Sequence, residues 1–224
     1  MQSTNSQILT HLKRSGGSSV DELATALGLA RMTVRQHLAT MERDGLVLSR
    51  EERRPTGRPH FMFSLSDRGQ ETFPKRYDRL ADLILQAAAS LDASEIAGLS
   101  EVEKKRLLFG KMVEQLGAEY APKVSGKVLA ERVAAVAEIL QKEGGFAEWR
   151  LHDAGYEIID YNCVYRRVVD THDDLCDWHL SLLSRLLGRE VQCSQFQSRG
   201  AESCRFVVRE ESASEGGPVA RRDD

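Results

Sequence analysis

The sequence predicts an α+β fold built in consecutive parts, and three observations lead there. Apolar residues recur at helical spacing in separate segments between residues 5 and 143. Two stretches, 46–65 and 146–161, read instead as strand pairs around short turns. Charge is divided unevenly: residues 1–80 hold 13 Lys and Arg against 9 Asp and Glu, or +4, while residues 81–224 hold 18 against 25, or −7. The expected parts are an N-terminal domain over 1–73, a connecting helix over 74–91, a cysteine-containing α+β domain over 92–211 and a Ser/Gly/Pro-rich, disordered tail over 212–224.

Bulk properties narrow the function classes. A chain of 224 residues with 41% hydrophobic content fits one or two domains with real cores. It has no run of eighteen apolar residues, and Met1-Gln2-Ser3-Thr4-Asn5 lacks the pattern of a signal peptide, so a cytoplasmic protein with no membrane partner is expected. The overall charge of −3 argues against nucleic acid, but the basic excess is concentrated in the first part.

That first part reads as a winged helix-turn-helix. Asn5 to Arg14 forms a short helix with Ile8, Leu9 and Leu12 inward. Ser19 and Glu22 make a capping box for a second helix carrying Val20, Leu23 and Leu27, and Gly28-Leu29 supplies the turn. The third helix, over 31–44, buries Val34, Leu38 and Met41. Its outward face holds Met32, Gln36 and Arg43, flanked by Thr33 and Arg35, with Arg31 at its start. Forked donors on such a face suit base edges in the major groove. Ala30 stands where Ser or Thr would cap this helix, a loss of about 1 kcal/mol.

The wing follows: Leu46-Val47-Leu48, an Arg-rich tip over 50–59, and a return strand Phe61–Leu65 with His60 at its start. Arg53, Arg54 and Arg58 in the tip suit phosphate contacts or minor-groove insertion. The competing reading is an αα-hairpin beside an unrelated β-hairpin.

Ser66-Asp67 can cap a new helix, which Pro74 kinks or restarts. Tyr77, Leu80, Ile84, Ala87 and Leu91 then repeat at 3-4-3-4 spacing, a seam for a second subunit or for the helix's own domain. Asp92 with Glu95 opens a further helix carrying Ile96 and Leu99, and residues 101–106 form a charged, solvated face. Gly117 and Pro122 are expected to break that helix, and Ser125 to cap another over 126–143. Beyond Gly144-Gly145 come a hairpin, a helical segment over 164–187 interrupted at 171–174, and two strands, 190–197 and 203–209.

All four cysteines lie in this last third, as Cys163, Cys176, Cys193 and Cys204, with gaps of twelve, sixteen and ten residues. In a cytosolic chain such clustering favours metal or redox chemistry over disulfides, and the lack of a C-x2-C knuckle argues against a common zinc finger. Each cysteine falls near an element junction. A strand–helix–hairpin unit would let such junctions converge on zinc or an iron–sulfur cluster, the alternative being unrelated thiols. His179, one turn after Cys176, and His172 in the helix break are substitute ligands or hydrogen-bonded surface groups. No Gly-rich phosphate loop, nucleophile elbow or paired carboxylates beside an apolar pocket are evident, so an enzyme is not expected.

Two sets of residues carry a family resemblance. Met32 to Leu38, then Gly57-Arg58-Pro59-His60-Phe61 and Leu65-Ser66, together with Asn162-Cys163, His172, Cys176, Leu186-Leu187-Gly188 and Cys204-Arg205-Phe206, resemble the SufR-like iron–sulfur-sensing winged helix-turn-helix regulators. The resemblance runs to about residue 209. It implies a homodimeric repressor that binds an inverted-repeat operator in double-stranded DNA when each subunit holds a [4Fe–4S] cluster on its C-terminal sensor domain. The family's third cysteine falls a few residues before Cys193, which leaves three cysteines with His179, His172 or a small molecule as another ligand set. The second half also resembles sensor domains for small organic ligands, in which the cysteines would line a pocket.

Overall fold

A computed structural model describes residues 3–52 and 60–210. The first helix, α1 (Thr4–Ser15), begins where the Ser3 hydroxyl accepts from Ser6 N at 3.2 Å. Ser19 and Glu22 make the expected reciprocal box before α2 (Val20–Leu27): Ser19 N donates to Glu22 Oε2 at 2.7 Å and Glu22 N to Ser19 Oγ at 3.3 Å. The third helix, α3 (Arg31–Arg43), starts at Ala30 with no side-chain cap. Ile8, Leu12, Leu23, Val34, Leu38 and Met41 close into one core with Val47.

The wing is β2 (Val47–Glu52) against β3 (His60–Leu65), antiparallel from Val47 opposite Leu65 to Glu52 opposite His60. A further strand was not anticipated. Ser18–Ser19, read as loop and cap, forms β1, pairs with Phe63 and Met62, and makes the order β1-β3-β2. Two residues of polar sequence carry no strand periodicity, and their place is set by the wing they join. The one-turn helix α4 (Asp67–Gln70) folds back under the wing. A Cβ on Gly69 would lie 2.0 Å from Leu46 O, so only glycine lets this turn close.

After Pro74 the connecting helix α5 (Tyr77–Ala89) packs on α7 (Glu101–Val124), burying Leu80, Leu83 and Ala87. Leu80 and Ala87 of the predicted seam therefore lie against the helix's own domain.

Three expectations for the next segment are corrected. The Asp92–Glu95 box opens only one turn, α6 (Ala93–Ile96), because Gly98 adopts φ +75 and a second box at Ser100 and Glu103 starts α7 afresh. Gly117 and Pro122 do not end α7, which runs to Val124. Pro122 stands in its last turn, and a Cβ at Gly117 would come 2.6 Å from Arg185 Nε, so glycine there admits the Arg185 side chain from α10 (Asp174–Leu187). Ser125 closes α7 rather than capping the next helix; α8 (Leu129–Lys142) begins only after Gly126, at φ +73, and Val128.

The C-terminal sheet is antiparallel in the order β4-β5-β7-β6, from β4 (Ala147–His152), β5 (Gly155–Asp160), β6 (Val191–Gln195) and β7 (Cys204–Arg209). The strand expected over 190–197 stops at Gln195, and Gln197–Arg199 makes a 3-10 turn. Between β5 and α10 lies a single turn, α9 (Arg166–Val169). α8 and α10 lie on the sheet and α7 packs against both helices, with Met112, Val133, Val136, Ile158, Leu183 and Leu187 at the centre of the core. Among the described residues no helix is long and apolar enough to cross a membrane.

Candidate DNA interface and cysteine centre

The outward face of α3 is as polar and open as the sequence indicates. Met32 is 63% exposed, Arg31, Arg35, Gln36 and Arg43 are exposed, and Thr33 is half-buried. Arg31 Nε lies 2.9 Å from Asp21 Oδ1 of α2, and Arg43 Nε 4.0 Å from Asp44 Oδ1. His37 Nδ1 and Asn5 Oδ1, 2.6 Å apart, tie α3 to α1 and help fix the angle at which this face is presented. Arg53, Arg54 and Arg58 lie outside the described residues. His60 sits in the wing as expected, 3.8 Å from Glu52 Oε2.

Residues 1–47 match the family model described as winged helix-turn-helix DNA-binding. The N-terminal domain is a winged helix-turn-helix. Among solved structures, the crystal structure of Bacillus subtilis PadR in complex with operator DNA is similar at 19% identity, covering 62% of this chain and 90% of that one, with a TM-score of 0.28. No curated protein matches the chain.

The four cysteines come from four different elements and meet at one end of the C-terminal domain. Cys163 follows β5, Cys176 lies in the first turn of α10, Cys193 is in β6 and Cys204 opens β7 opposite Asp160. All four are free thiols. Cys163 interacts electrostatically with Cys176 and Cys204, Cys176 with Cys193, and Cys193 shares a hydrogen bond with Cys204. Burial pushes the Cys163 thiol up to about 11 and raises Cys176 as well. The shared hydrogen bond, with burial, raises Cys204, and the same bond lowers Cys193, whose thiol donates to Gln195 O at 2.9 Å. Among the described residues no three His, Cys, Asp or Glu side chains stand close enough to hold a single metal ion.

The substitute ligands part company. His179 faces inward, edge-on to Phe206 at 5.6 Å, and burial lowers it to about 4, so its imidazole is neutral at ordinary pH. It lines a cavity of about 70 Å³ with Cys163, Cys204, Tyr165 and Trp178. His172 is exposed, and its backbone carries its hydrogen bonds, donating to Val168 O at 2.8 Å and accepting from Leu175 N at 3.1 Å.

Behind the thiols stands a polar layer that sequence reading did not assign to the site. Gln197, 3% exposed, accepts from Cys163 N at 2.9 Å, donates through its amide to Glu202 O at 3.0 Å, and donates its backbone N–H to Cys204 Sγ at 3.4 Å. Ser198 Oγ lies 3.6 Å from Cys176 Sγ. Asn162, fully buried, donates to Pro74 O at 2.9 Å and to Gly144 O at 2.8 Å, and accepts from Lys75 Nζ at 3.2 Å. Asp160 accepts from Asn162 N and Phe146 N, yet burial raises it to about 6. One signal was legible: Asn162 stands directly before Cys163. Gln197 gave none, because a polar residue near a predicted turn reads as surface.

The polar layer reaches the DNA-binding domain. A cleft of about 580 Å³ separates α1 and α4 from the Cys163 loop and the 3-10 turn, lined by Lys13, Lys75, Cys163, Arg166, Gln197 and Glu202 among others. Lys13 projects from α1, is 5% exposed, bonds Gln70 Oε1 and lies 5.3 Å over the Phe73 ring. The ring of Phe73 in turn meets Phe146 edge-on at 5.3 Å. A Cβ on Gly16, at the end of α1 with φ +71, would collide with the Glu202 carboxylate at 1.8 Å.

Proposed function

We propose that the chain is a homodimeric transcriptional repressor of the SufR-like kind, whose affinity for an inverted-repeat operator is set by an iron–sulfur cluster on Cys163, Cys176, Cys193 and Cys204. The observation that carries this reading is the convergence of four thiols from four elements beside the junction with the DNA-binding domain. Soft thiolates are the donors such a cluster takes. Gln197 N–H, directed at Cys204 Sγ, is the kind of hydrogen bond that stabilises a ligating thiolate.

When bound, the cluster supplies a charged, oxidisable link among the four elements. The chain's own residues carry the consequence. Cys163 continues directly from Asn162, which clamps Pro74 just before the connecting helix. Fixing Cys163 fixes that clamp, and freeing it lets Pro74, Lys75 and the domain they lead from shift. Coupling between the sites requires an element with two arrangements, and this clamp is the one proposed for that role.

The ligand-sensing alternative has the 70 Å³ cavity beside Cys163 and His179 in its favour. Pockets for drug-sized molecules run to roughly 300–1,000 Å³; this cavity falls below that range, whereas the cleft of about 580 Å³ that Cys163 also lines falls within it.

Anaerobic purification with iron and sulfide analysis tests the proposal. Brown protein is expected, with the chromophore abolished by Cys163→Ser, Cys176→Ser or Cys204→Ser and reduced by Cys193→Ser. Full iron and sulfide in a Cys163/Cys176 double variant would exclude it.

A further inference from the structure

The cleft between α1, α4 and the Cys163 loop holds more positive charge in its interior than its walls neutralise. Lys13 of α1 is buried, and Lys75, beyond α4, is half-buried. Both ammonium groups converge on one residue. Lys13 bonds the side-chain oxygen of Gln70, and Lys75 Nζ donates to Gln70 O at 3.0 Å and to Asn162 Oδ1 at 3.2 Å. These acceptors are all neutral, and among the described residues neither lysine forms an ion pair. The carboxylates nearby are engaged elsewhere. Glu71 Oε2 lies 3.2 Å from Arg167 Nε, and Asp170 Oδ1 3.1 Å from Arg166 Nε. Asp160 accepts from Asn162 N and Phe146 N, and its pull on Lys13 is weaker than the push of Lys75. Asp67 and Glu202 line the cleft but are exposed to solvent. Buried charge without a counter-charge is costly, and here two such groups stand together beside about 580 Å³ of open space.

We propose that this cleft is a binding site for a phosphate dianion, free or carried by a small organic molecule, seated between Lys13 and Lys75. The inference goes beyond the proposed function and requires neither a cluster nor a dimer. Ammonium groups act on phosphate as point charges, whereas the planar fork that matches a carboxylate belongs to arginine. Arg166, the guanidinium beside them, is already taken up by Asp170 and by Gln197 O at 2.8 Å. Two positive centres at one place suit a group that carries two negative charges on one centre, as a phosphomonoester nearly does at neutral pH. The volume exceeds what phosphate alone fills and lies among those of small-molecule sites, roughly 300–1,000 Å³. Leu12 and Leu65 give the remaining space an apolar wall. Since α1 and α4 line one side and the Cys163 loop the other, a bound phosphate would bridge the two parts of the chain.

The test is isothermal titration calorimetry of the full chain at neutral pH and constant ionic strength, with inorganic phosphate, phenyl phosphate and succinate as probes. Saturable binding of a phosphate probe is expected, with succinate, whose charges sit at separate ends, at least tenfold weaker. Tighter binding of phenyl phosphate assigns the site to an ester, and tighter binding of inorganic phosphate to the free ion. Lys13→Met and Lys75→Met should each weaken binding at least tenfold. Lys104→Met, exposed on α7 and outside the cleft, should leave it unchanged. If a lysine variant does not fold, Ala201→Glu adds negative charge to the cleft wall while keeping both lysines, and should weaken binding as much. No saturable binding of either phosphate probe, equal affinity for succinate, or an equal loss in Lys104→Met would each overturn the proposal. Iron and sulfide analysis of the same preparations separates the two questions: phosphate binding by a chain that cannot take up a cluster contradicts the sensor reading and leaves this site standing.

Discussion

Lys13 shows how a single side chain of α1 can be buried where the DNA-binding domain meets the cleft beside Cys163. Its ammonium is nearly excluded from water, held by the Gln70 amide and the Phe73 ring. Burial first, then the positive charge of Lys75, lowers it from 10.5 to about 8. The folded protein thus gives up this proton before the unfolded chain does. Between about pH 8 and 10.5 the unfolded state binds more protons, and Lys13 makes stability rise with pH. Lys13→Met should remove that rise: the variant's advantage over wild type in urea unfolding should be largest below pH 8 and shrink toward pH 10.5. A difference that stays constant over this range would contradict the assignment. Sequence alone gave no hint of this burial, because a lysine in the last turn of a helix reads as a dipole partner in solvent. The outward face of α3 was legible, since periodicity separates Val34, Leu38 and Met41 from Gln36 and Arg35 without help from tertiary contacts. Gln36→Ala should relax preference for the operator by roughly 1–3 kcal/mol if it makes a base contact. An unchanged ratio of specific to random binding in a mobility-shift titration would show that the face is differently placed.

At the scale of elements, local signals were read well where they were self-contained and badly where a neighbour decided. The Ser19–Glu22 box and the wing strands needed nothing beyond their own residues. α7 is the counterexample: Gly117 looked like a stop and is instead the place where Arg185 lies against the helix. Gly110 in the same helix has no such neighbour within 4 Å of where a Cβ would stand, and it is exposed. Gly110→Ala should therefore stabilise the protein by about 1 kcal/mol, raising the melting temperature by roughly 2–4 °C. Ala30→Ser should add about 1 kcal/mol through the missing cap of α3. Calorimetry of the two variants checks both, and a loss of stability at Gly110 would mean that α7 meets a surface at that point.

For the whole molecule, the order of parts was legible from charge and periodicity, but their junction was not. The thiols' convergence depends on β5 pairing with β7 and on α10 packing against β6, long-range contacts with no counterpart in residue spacing. The contacts among Asn162, Pro74 and Lys75 join residues nearly ninety positions apart. On the proposed reading, they are the route by which a change at Cys163 would reach the segment leading back to α3. An ordinary coupling of this kind is roughly 1–3 kcal/mol, or 5- to 150-fold in affinity. The most direct measurement is to titrate one operator duplex with cluster-loaded and cluster-free protein at the same salt and dimer concentration. The account predicts tighter binding by the loaded form within that range; equal affinities would contradict it, even if the protein proves to carry a cluster.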